Sequence, residues 1–209
     1  MKRQIISVII VIVFIFISIF VCVQRGTSPN EEIIDPHKEI ISIAELMHQA
    51  YEEEAKERLN VLLAKNPNNC DALFLQSLDS WYYGKLQKAI DYCSRAISNH
   101  TNECYYNLGY MYYRRGEMYS DLPDGDSAIA DFTAALEHIE MSDSIHRTYI
   151  YYNRAQCYFD KSDYENSEAD LLNALKSGYE TLYDDISELL DVIHIQAKSK
   201  DTTQSANQD

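Results

Sequence analysis

Aromatic and small residues recur at helix-like spacings in the middle of this chain, and this recurrence constrains the fold more than any other feature. Two neighbouring sets carry it: Tyr105, Leu108, Gly109 and Tyr112, then Ala128, Phe132, Ala135 and Leu136. Offsets of three and four residues place side chains on one face of an α-helix. The chain has only six glycines and four prolines in 209 residues, which favours long uninterrupted helices.

The same spacing recurs three more times along the chain. The matching positions are Tyr151, Ala155, Tyr158, Ser162, Leu171, Ala174 and Leu175; Gly84, Ala89, Cys93, Ala96 and Ile97; and Ala55, Leu59, Leu62, Leu63 and Pro67. The pattern resembles the tetratricopeptide repeat (TPR), a helix–turn–helix unit of about 34 residues. The resemblance covers residues 36–180 in four units, about 36–69, 70–101, 102–142 and 148–180. It implies an all-α fold, a right-handed superhelical array of antiparallel helix pairs.

The third unit departs from the spacing of the family. Gly116, interpreted as the turn glycine, lies twelve residues before Ala128, whereas the family has five. Seven extra residues are therefore expected to extend the first helix or lengthen the turn. Asp126 or Ser127 is the expected N-cap of the helix that follows.

The two ends of the repeat region have different expected roles. Residues 181–198 carry an apolar stripe backed by acidic residues, which predicts a C-terminal capping helix. Residues 199–209 are polar, which predicts a disordered tail. Residues 24–35, before the repeats, contain proline and polar residues and are interpreted as a tether.

Residues 5–23 contain no charged side chain. As a helix this segment would span about 28 Å, close to the roughly 30 Å of a bilayer's hydrocarbon core. It therefore predicts a single transmembrane helix that serves as a signal anchor. Lys2 and Arg3 in residues 1–4 favour a cytoplasmic N-terminus, so the repeats would lie outside the cytoplasmic membrane, in a bacterial periplasm. Cleavage of the segment and lipidation of Cys22 are the alternatives.

Composition and motifs exclude several functional classes. Thirty-three acidic residues against 18 basic ones give a formal net charge of −15, which argues against a nucleic-acid partner. No phosphate-binding loop, nucleophile motif or metal-ligand spacing is present, so we expect no enzyme, no cofactor and no metal. Cys93 and Cys104 are the pair most able to form a disulfide, with buried free thiols as the alternative.

The resemblance also implies where a partner would bind. In this family the first helices of successive units line a concave groove that holds a peptide or a partner helix. By position in the repeats, the groove residues here are Phe74, Leu78, Trp81, Tyr82, Tyr106, Tyr110, Tyr113, Arg114, Tyr149, Tyr152, Asn153 and Gln156. The expected function is a membrane-anchored, non-catalytic scaffold for protein–protein interaction. The alternative is a structural subunit of an envelope complex or of a homo-oligomer.

Overall fold

The computed structural model describes residues 36–49, 51–122 and 124–206, with side chains as far as residue 196. These residues form α-helices and connecting turns. The helices are α1 Pro36–His48, α2 Glu52–Lys65, α3 Cys70–Tyr82, α4 Leu86–Ser98, α5 Leu108–Ser120, α6 Gly125–His138, α7 Ser144–Asp160, α8 Tyr164–Ser177 and, after a 3-10 turn at Glu180–Leu182, α9 Tyr183–Ala206.

Consecutive helices pair, and the pairs pack in sequence order. Helices α3 and α4, α5 and α6, and α7 and α8 make the most extensive contacts, and each of these pairs contacts the next. Helix α9 packs against α8 at the end of the array. The all-α prediction of stacked helix pairs is therefore confirmed.

Polar side chains define where most of these helices begin. The side chains of Asn69, Asn107, Asp124, Asp143 and Asp163 each accept a hydrogen bond from the backbone N–H of the third residue after them. Such caps satisfy backbone donors that have no partner within the helix. The cap of α6 is Asp124, so the expectation of Asp126 or Ser127 at that position was wrong.

The apolar core lies between successive helix pairs rather than within each pair alone. Side chains of α1, α2 and α3 form one cluster, and those of α3, α4 and α5 form the next. Two further clusters join α5, α6 and α7, and then α7, α8 and α9. The largest fully buried side chains include Ile43, Phe74, Phe132, Leu171 and Ile186.

The structure corrects the register of the third repeat. Gly116 lies inside α5 and is buried, and a Cβ added to it would come within 2.7 Å of the Phe132 ring. It therefore allows α5 to approach α6 closely, and it is not a turn residue. Ala155 and Leu171 form the equivalent pair in the fourth repeat, each 39 residues further along. The seven extra residues predicted between Gly116 and Ala128 are therefore not an insertion in the turn.

Gly109 explains why the sequence alone selected the wrong register. It is also buried, and an added Cβ would lie 2.8 Å from the backbone nitrogen of Ile139. Two close-packed glycines thus lie seven residues apart on the same helix. Seven residues are two helical turns, so either glycine fits a pattern based on side-chain spacing. In the register set by Gly116, four residues of α5 align with four residues of α7. Tyr112, Arg115, Gly116 and Tyr119 correspond in that order to Tyr151, Arg154, Ala155 and Tyr158.

A partly buried arginine in each of these repeats ties three helices together. Arg115 donates two hydrogen bonds to Asp131 of α6, at 2.7 and 2.8 Å, and a third to Ser94 of α4 at 2.9 Å. In the next repeat, Arg154 makes the same bonds to Asp170 of α8 and to Thr133 of α6. Hydrogen bonds between charged groups in such paired geometry are stronger than neutral ones and fix orientation.

Two equivalent turns contain a residue with positive φ. Gly84 has φ +69° between α3 and α4, and Ser162 has φ +60° between α7 and α8. In both turns the backbone N–H of this residue donates a hydrogen bond to the carbonyl oxygen three residues earlier, which belongs to Trp81 in one turn and to Phe159 in the other. Ser162 therefore occupies the position of the turn glycine, as its place in the repeat predicts.

The C-terminal helix runs to Ala206, beyond the boundary at residue 198 that the sequence predicts for the cap. Within the described part of the chain, no helix is long and apolar enough to cross a bilayer. The transmembrane segment predicted at residues 5–23, Cys22 and the tether lie outside the described residues.

We expect Arg154→Met to lower the free energy of unfolding by about 3–5 kcal/mol, because it leaves the Asp170 carboxylate buried without its partner. The Asp170 side chain is only 6% exposed. Urea denaturation of the full-length chain in detergent, followed by circular dichroism at 222 nm, measures this. The double variant Arg154→Met/Asp170→Leu should recover most of the loss. A double variant as unstable as the single one would contradict the explanation, and Lys161→Met, which breaks an exposed ion pair, is the control.

Ser162→Gly should raise the free energy of unfolding by about 0.5–1 kcal/mol, because glycine adopts positive φ without steric cost. Gly84→Ala should lower it by about 1 kcal/mol for the same reason. A Cβ at Gly84 would meet nothing within 4 Å, so that change reports backbone conformation alone. Both values come from the same urea titration, and a destabilising Ser162→Gly would refute the equivalence of the two turns.

Candidate functional site

Two adjacent cavities lie along the first helices of the repeats. The first, which we call the aromatic cavity, has a volume of about 630 Å³. Its lining comes mainly from α1 and α3, with one residue each from α2 and α5 and two from the segments between helices. The lining residues are Ala44, Met47, His48, Glu52, Leu75, Leu78, Asp79, Trp81, Tyr82, Tyr83, Tyr106 and Arg114.

The second cavity, which we call the acidic cavity, has a volume of about 870 Å³. It lies among α5, α7, the beginning of α6 and Leu189 of α9, and Trp81 also lines it. Its acidic residues are Glu117, Asp121, Asp124, Asp126 and Asp160, and its only basic residue is Lys161.

Trp81 belongs to both cavities, and two residues of the third repeat hold it in place. Its indole Nε1 donates a hydrogen bond to Asp121 at 2.7 Å. The guanidinium of Arg114 lies 4.9 Å from the centre of its rings, in cation–π geometry. The Trp81 side chain is therefore held in a fixed orientation where the aromatic and acidic cavities meet.

Arg114 is itself fixed by Glu117, one turn further along α5. The two side chains form an ion pair at 2.6 Å, and the Tyr113 hydroxyl donates to the other oxygen of Glu117 at 2.8 Å. Burial raises the pKa of Glu117, an effect that the charge of Arg114 opposes. Burial also raises the pKa of Tyr113. Tyr113 thus remains a neutral donor that orients Glu117.

A disulfide and a carboxylate position Tyr106 at the aromatic cavity. Cys70, at the start of α3, is bonded to Cys104, in the segment before α5. Asp71 accepts hydrogen bonds from the backbone N–H groups of Tyr105 and Tyr106, each at 3.0 Å. The Tyr106 ring packs 4.9 Å from that of Phe74, and burial raises the pKa of its hydroxyl to about 12.

Of the two alternatives that the sequence left open, Cys93 is the buried free thiol, and Cys104 forms a disulfide with Cys70 and not with Cys93. Cys93 is a free thiol, fully buried between α4 and α5, and burial raises its pKa to about 12. Its sulfur lies 3.5 Å from the carbonyl oxygen of Met111. Cys104 precedes α5 and faces the first helix of the preceding pair, where Cys70 lies.

The structure brings seven of the twelve predicted groove residues to the two cavities. Leu78, Trp81, Tyr82, Tyr106 and Arg114 line the aromatic cavity, and Asn153 and Gln156 line the acidic one.

The other five predicted groove residues lie elsewhere. Phe74 is fully buried and Tyr113 is 6% exposed, so both are packing residues and not contact residues. Tyr110 packs against Tyr106 and His146, and Tyr149 packs against Tyr179. Tyr152 accepts a hydrogen bond from Gln156.

Glu117 and Asp121 are site residues that the sequence reasoning missed. The register that took Gly116 as the turn glycine put neither of them among the groove positions, although Glu117 lies on α5 and Asp121 is its C-cap. The signal that would have found them is the 39-residue recurrence of Arg115 and Asp131 as Arg154 and Asp170. That recurrence fixes the register independently of the glycines.

One group of potential metal ligands occurs in the described part of the chain. Cys70, Asp71 and Cys104 each place a ligand atom within 4.8 Å of the others. Both sulfurs are in the disulfide, and the carboxylate of Asp71 accepts two backbone hydrogen bonds. The donor set therefore does not fit a metal ion in this state.

Comparison with solved structures identifies TPR proteins of the same fold. The chain matches the peptide-binding TPR protein YrrB at a TM-score of 0.63 with 14% identity, covering 80% of each chain. It matches PilF of Pseudomonas aeruginosa at 0.62 with 10% identity, covering 77% of this chain and 68% of PilF. A TPR protein of Parabacteroides merdae matches at 0.57 with 21% identity, over 75% and 57% of the two chains. No family model and no curated protein matches the sequence.

We expect reduction of the Cys70–Cys104 disulfide to lower the free energy of unfolding by about 3–4 kcal/mol, because it releases a loop of 34 residues in the unfolded chain. Urea denaturation of the full-length chain with and without a phosphine reductant measures the difference. The variant Cys70→Ser/Cys104→Ser should match the reduced chain and should not respond to reductant. An equal response in that variant would attribute the effect to another cysteine.

Proposed function

We propose that this chain is a membrane-anchored, non-catalytic scaffold that binds an extended segment of a protein partner across the aromatic and acidic cavities. The observation that carries this proposal is the pair of adjoining cavities on the first helices, with Trp81 common to both. Cavities of several hundred Å³ accept bulky side chains. Two such cavities in a row favour an extended segment over a single small molecule.

The surface chemistry of the site also supports recognition of a protein. Trp81, Tyr82, Tyr83 and Tyr106 contribute rigid apolar bodies with polar tips, which are enriched where proteins bind one another. TPR-like folds in general serve as interaction scaffolds, and YrrB is described as having an unusual peptide-binding site. Because the two folds are alike, we propose that the present chain also binds a peptide segment.

The proposed location is the outer side of the cytoplasmic membrane, with residues 5–23 as the anchor. Two features support it. The anchor segment is uncharged over nineteen residues and follows Lys2 and Arg3. The Cys70–Cys104 disulfide belongs to the kind of cross-link that persists in oxidising compartments outside the cytoplasm.

The test is capture of the partner from a membrane extract by the full-length chain in detergent, with quantification by mass spectrometry. The variant Trp81→Leu/Tyr82→Ala should lower the captured amount of a specific partner at least about tenfold, because aromatic anchors carry much of the binding energy. Tyr82 is 80% exposed, so its replacement should barely affect folding.

The matched control is Tyr51→Ala/Met141→Ala, which removes two exposed apolar side chains that line neither cavity. Equal capture by the wild type, the cavity variant and the control would eliminate the cavities as the binding site. If the purified chain instead forms a stable oligomer that excludes other proteins, the alternative of a structural subunit would replace the scaffold.

A further inference from the structure

We propose that the bound segment carries a large apolar side chain flanked by lysine or arginine residues. The apolar side chain enters the aromatic cavity, and the basic side chains lie along the acidic cavity. This inference rests on the proposed function and specifies the chemistry of its partner.

The aromatic cavity is suited to an apolar anchor. Ala44, Met47, Leu75 and Leu78 form an aliphatic surface, and the rings of Trp81, Tyr82, Tyr83 and Tyr106 surround it. Its charged groups are largely compensated within the chain. Arg114 is paired with Glu117 at 2.6 Å, and Glu52 lies 3.7 Å from Lys56 and accepts a hydrogen bond from Tyr83. Asp79 also lines this cavity and forms no ion pair among the described residues. A large apolar side chain would therefore bury apolar surface there while the Arg114–Glu117 and Glu52–Lys56 pairs stay intact.

The acidic cavity retains negative charge that the chain does not neutralise. Of its carboxylates, Glu117 is paired with Arg114, and Asp126 with Lys161 at 2.7 Å. The other three have no cationic partner among the described residues: Asp121, Asp124 and Asp160. Asp121 accepts from the neutral indole of Trp81, and Asp124 accepts from Ser127 at the start of α6.

Trp81 lies where the site for the apolar side chain meets the site for the basic side chains. Trp81 lines the aromatic cavity, and its Nε1 donates to Asp121, which lines the acidic cavity. An apolar residue and a basic residue close together in one extended segment would reach both cavities at once. A second copy of this chain fits poorly as the occupant, because each copy carries a net charge of −15.

Trp81 is the only tryptophan of the chain, so its fluorescence reports binding at the boundary of the two cavities. The full-length chain in detergent is titrated with three tryptophan-free peptides of twelve residues on a Gly/Ser background. Their central residues are Lys-Lys-Phe-Lys-Lys, Glu-Glu-Phe-Glu-Glu and Lys-Lys-Ser-Lys-Lys. The first arrangement is symmetric, so it tests the chemistry whichever way the segment runs. Isothermal titration calorimetry gives the affinities.

We expect the first peptide to change Trp81 emission and to bind at least about tenfold more tightly than either of the others. The variant Asp121→Asn/Asp124→Asn/Asp160→Asn should weaken its binding roughly tenfold, because three partly exposed ion pairs are lost. Asparagine retains one acceptor oxygen, which is enough for the bond from Trp81 and for the backbone bond that caps α6. The control Asp91→Asn/Glu137→Gln/Glu165→Gln removes the same charge from exposed positions on α4, α6 and α8 and should bind like the wild type.

Equal affinity for the lysine and glutamate peptides would overturn the inference while leaving the proposed function intact, since both would still bind at Trp81. If none of the three peptides binds, the inference is also overturned, and the partner capture alone then tests the proposed function. Trp81 emission that varies with protein concentration alone would identify a second copy as the occupant and reject a basic segment.

Discussion

Each helix pair in this chain leaves an apolar face that only the next pair covers. Three of the four core clusters join a pair to the first helix of the next pair, and the fourth joins the last pair to α9, so no pair has a core of its own. Burial of that shared surface supplies the main driving force for folding. Two partly buried arginines then fix the geometry of the stack, because Arg115 and Arg154 each bond to their own pair and to the pair before it.

This arrangement leaves the first helices free to form a binding surface. The second helices of the third and fourth pairs hold the aspartates that pair with these arginines, and none of the paired residues lines either cavity. The aromatic and acidic cavities instead use side chains that project from α1, α3, α5 and α7. The Cys70–Cys104 disulfide and the hydrogen bonds of Asp71 hold Tyr106 at this surface, although Tyr106 lies in the segment before α5 and not on a helix. Structural contacts and candidate recognition contacts are thus separated.

Several features were predictable because they depend on local spacing. Gly84 and Ser162 were expected at turns, and both adopt positive φ there. The four helix pairs follow from offsets of three and four residues, which the backbone geometry of a helix imposes. The N-cap of α6 was misplaced by two or three residues, because Asp124, Asp126 and Ser127 are all good capping residues and spacing does not rank them.

The sequence by itself determined an all-helical stack of pairs, because the periodicity of a helix can be recognised from the spacing of side chains over one or two turns. It did not determine which glycine of α5 meets Phe132, since Gly109 and Gly116 differ by two whole turns and have the same local pattern. It also did not determine that Cys104 bonds to Cys70, or that Glu117 and Asp121 approach Trp81. Those facts required tertiary structure, because each depends on the distance between residues that lie far apart along the chain or on different helices.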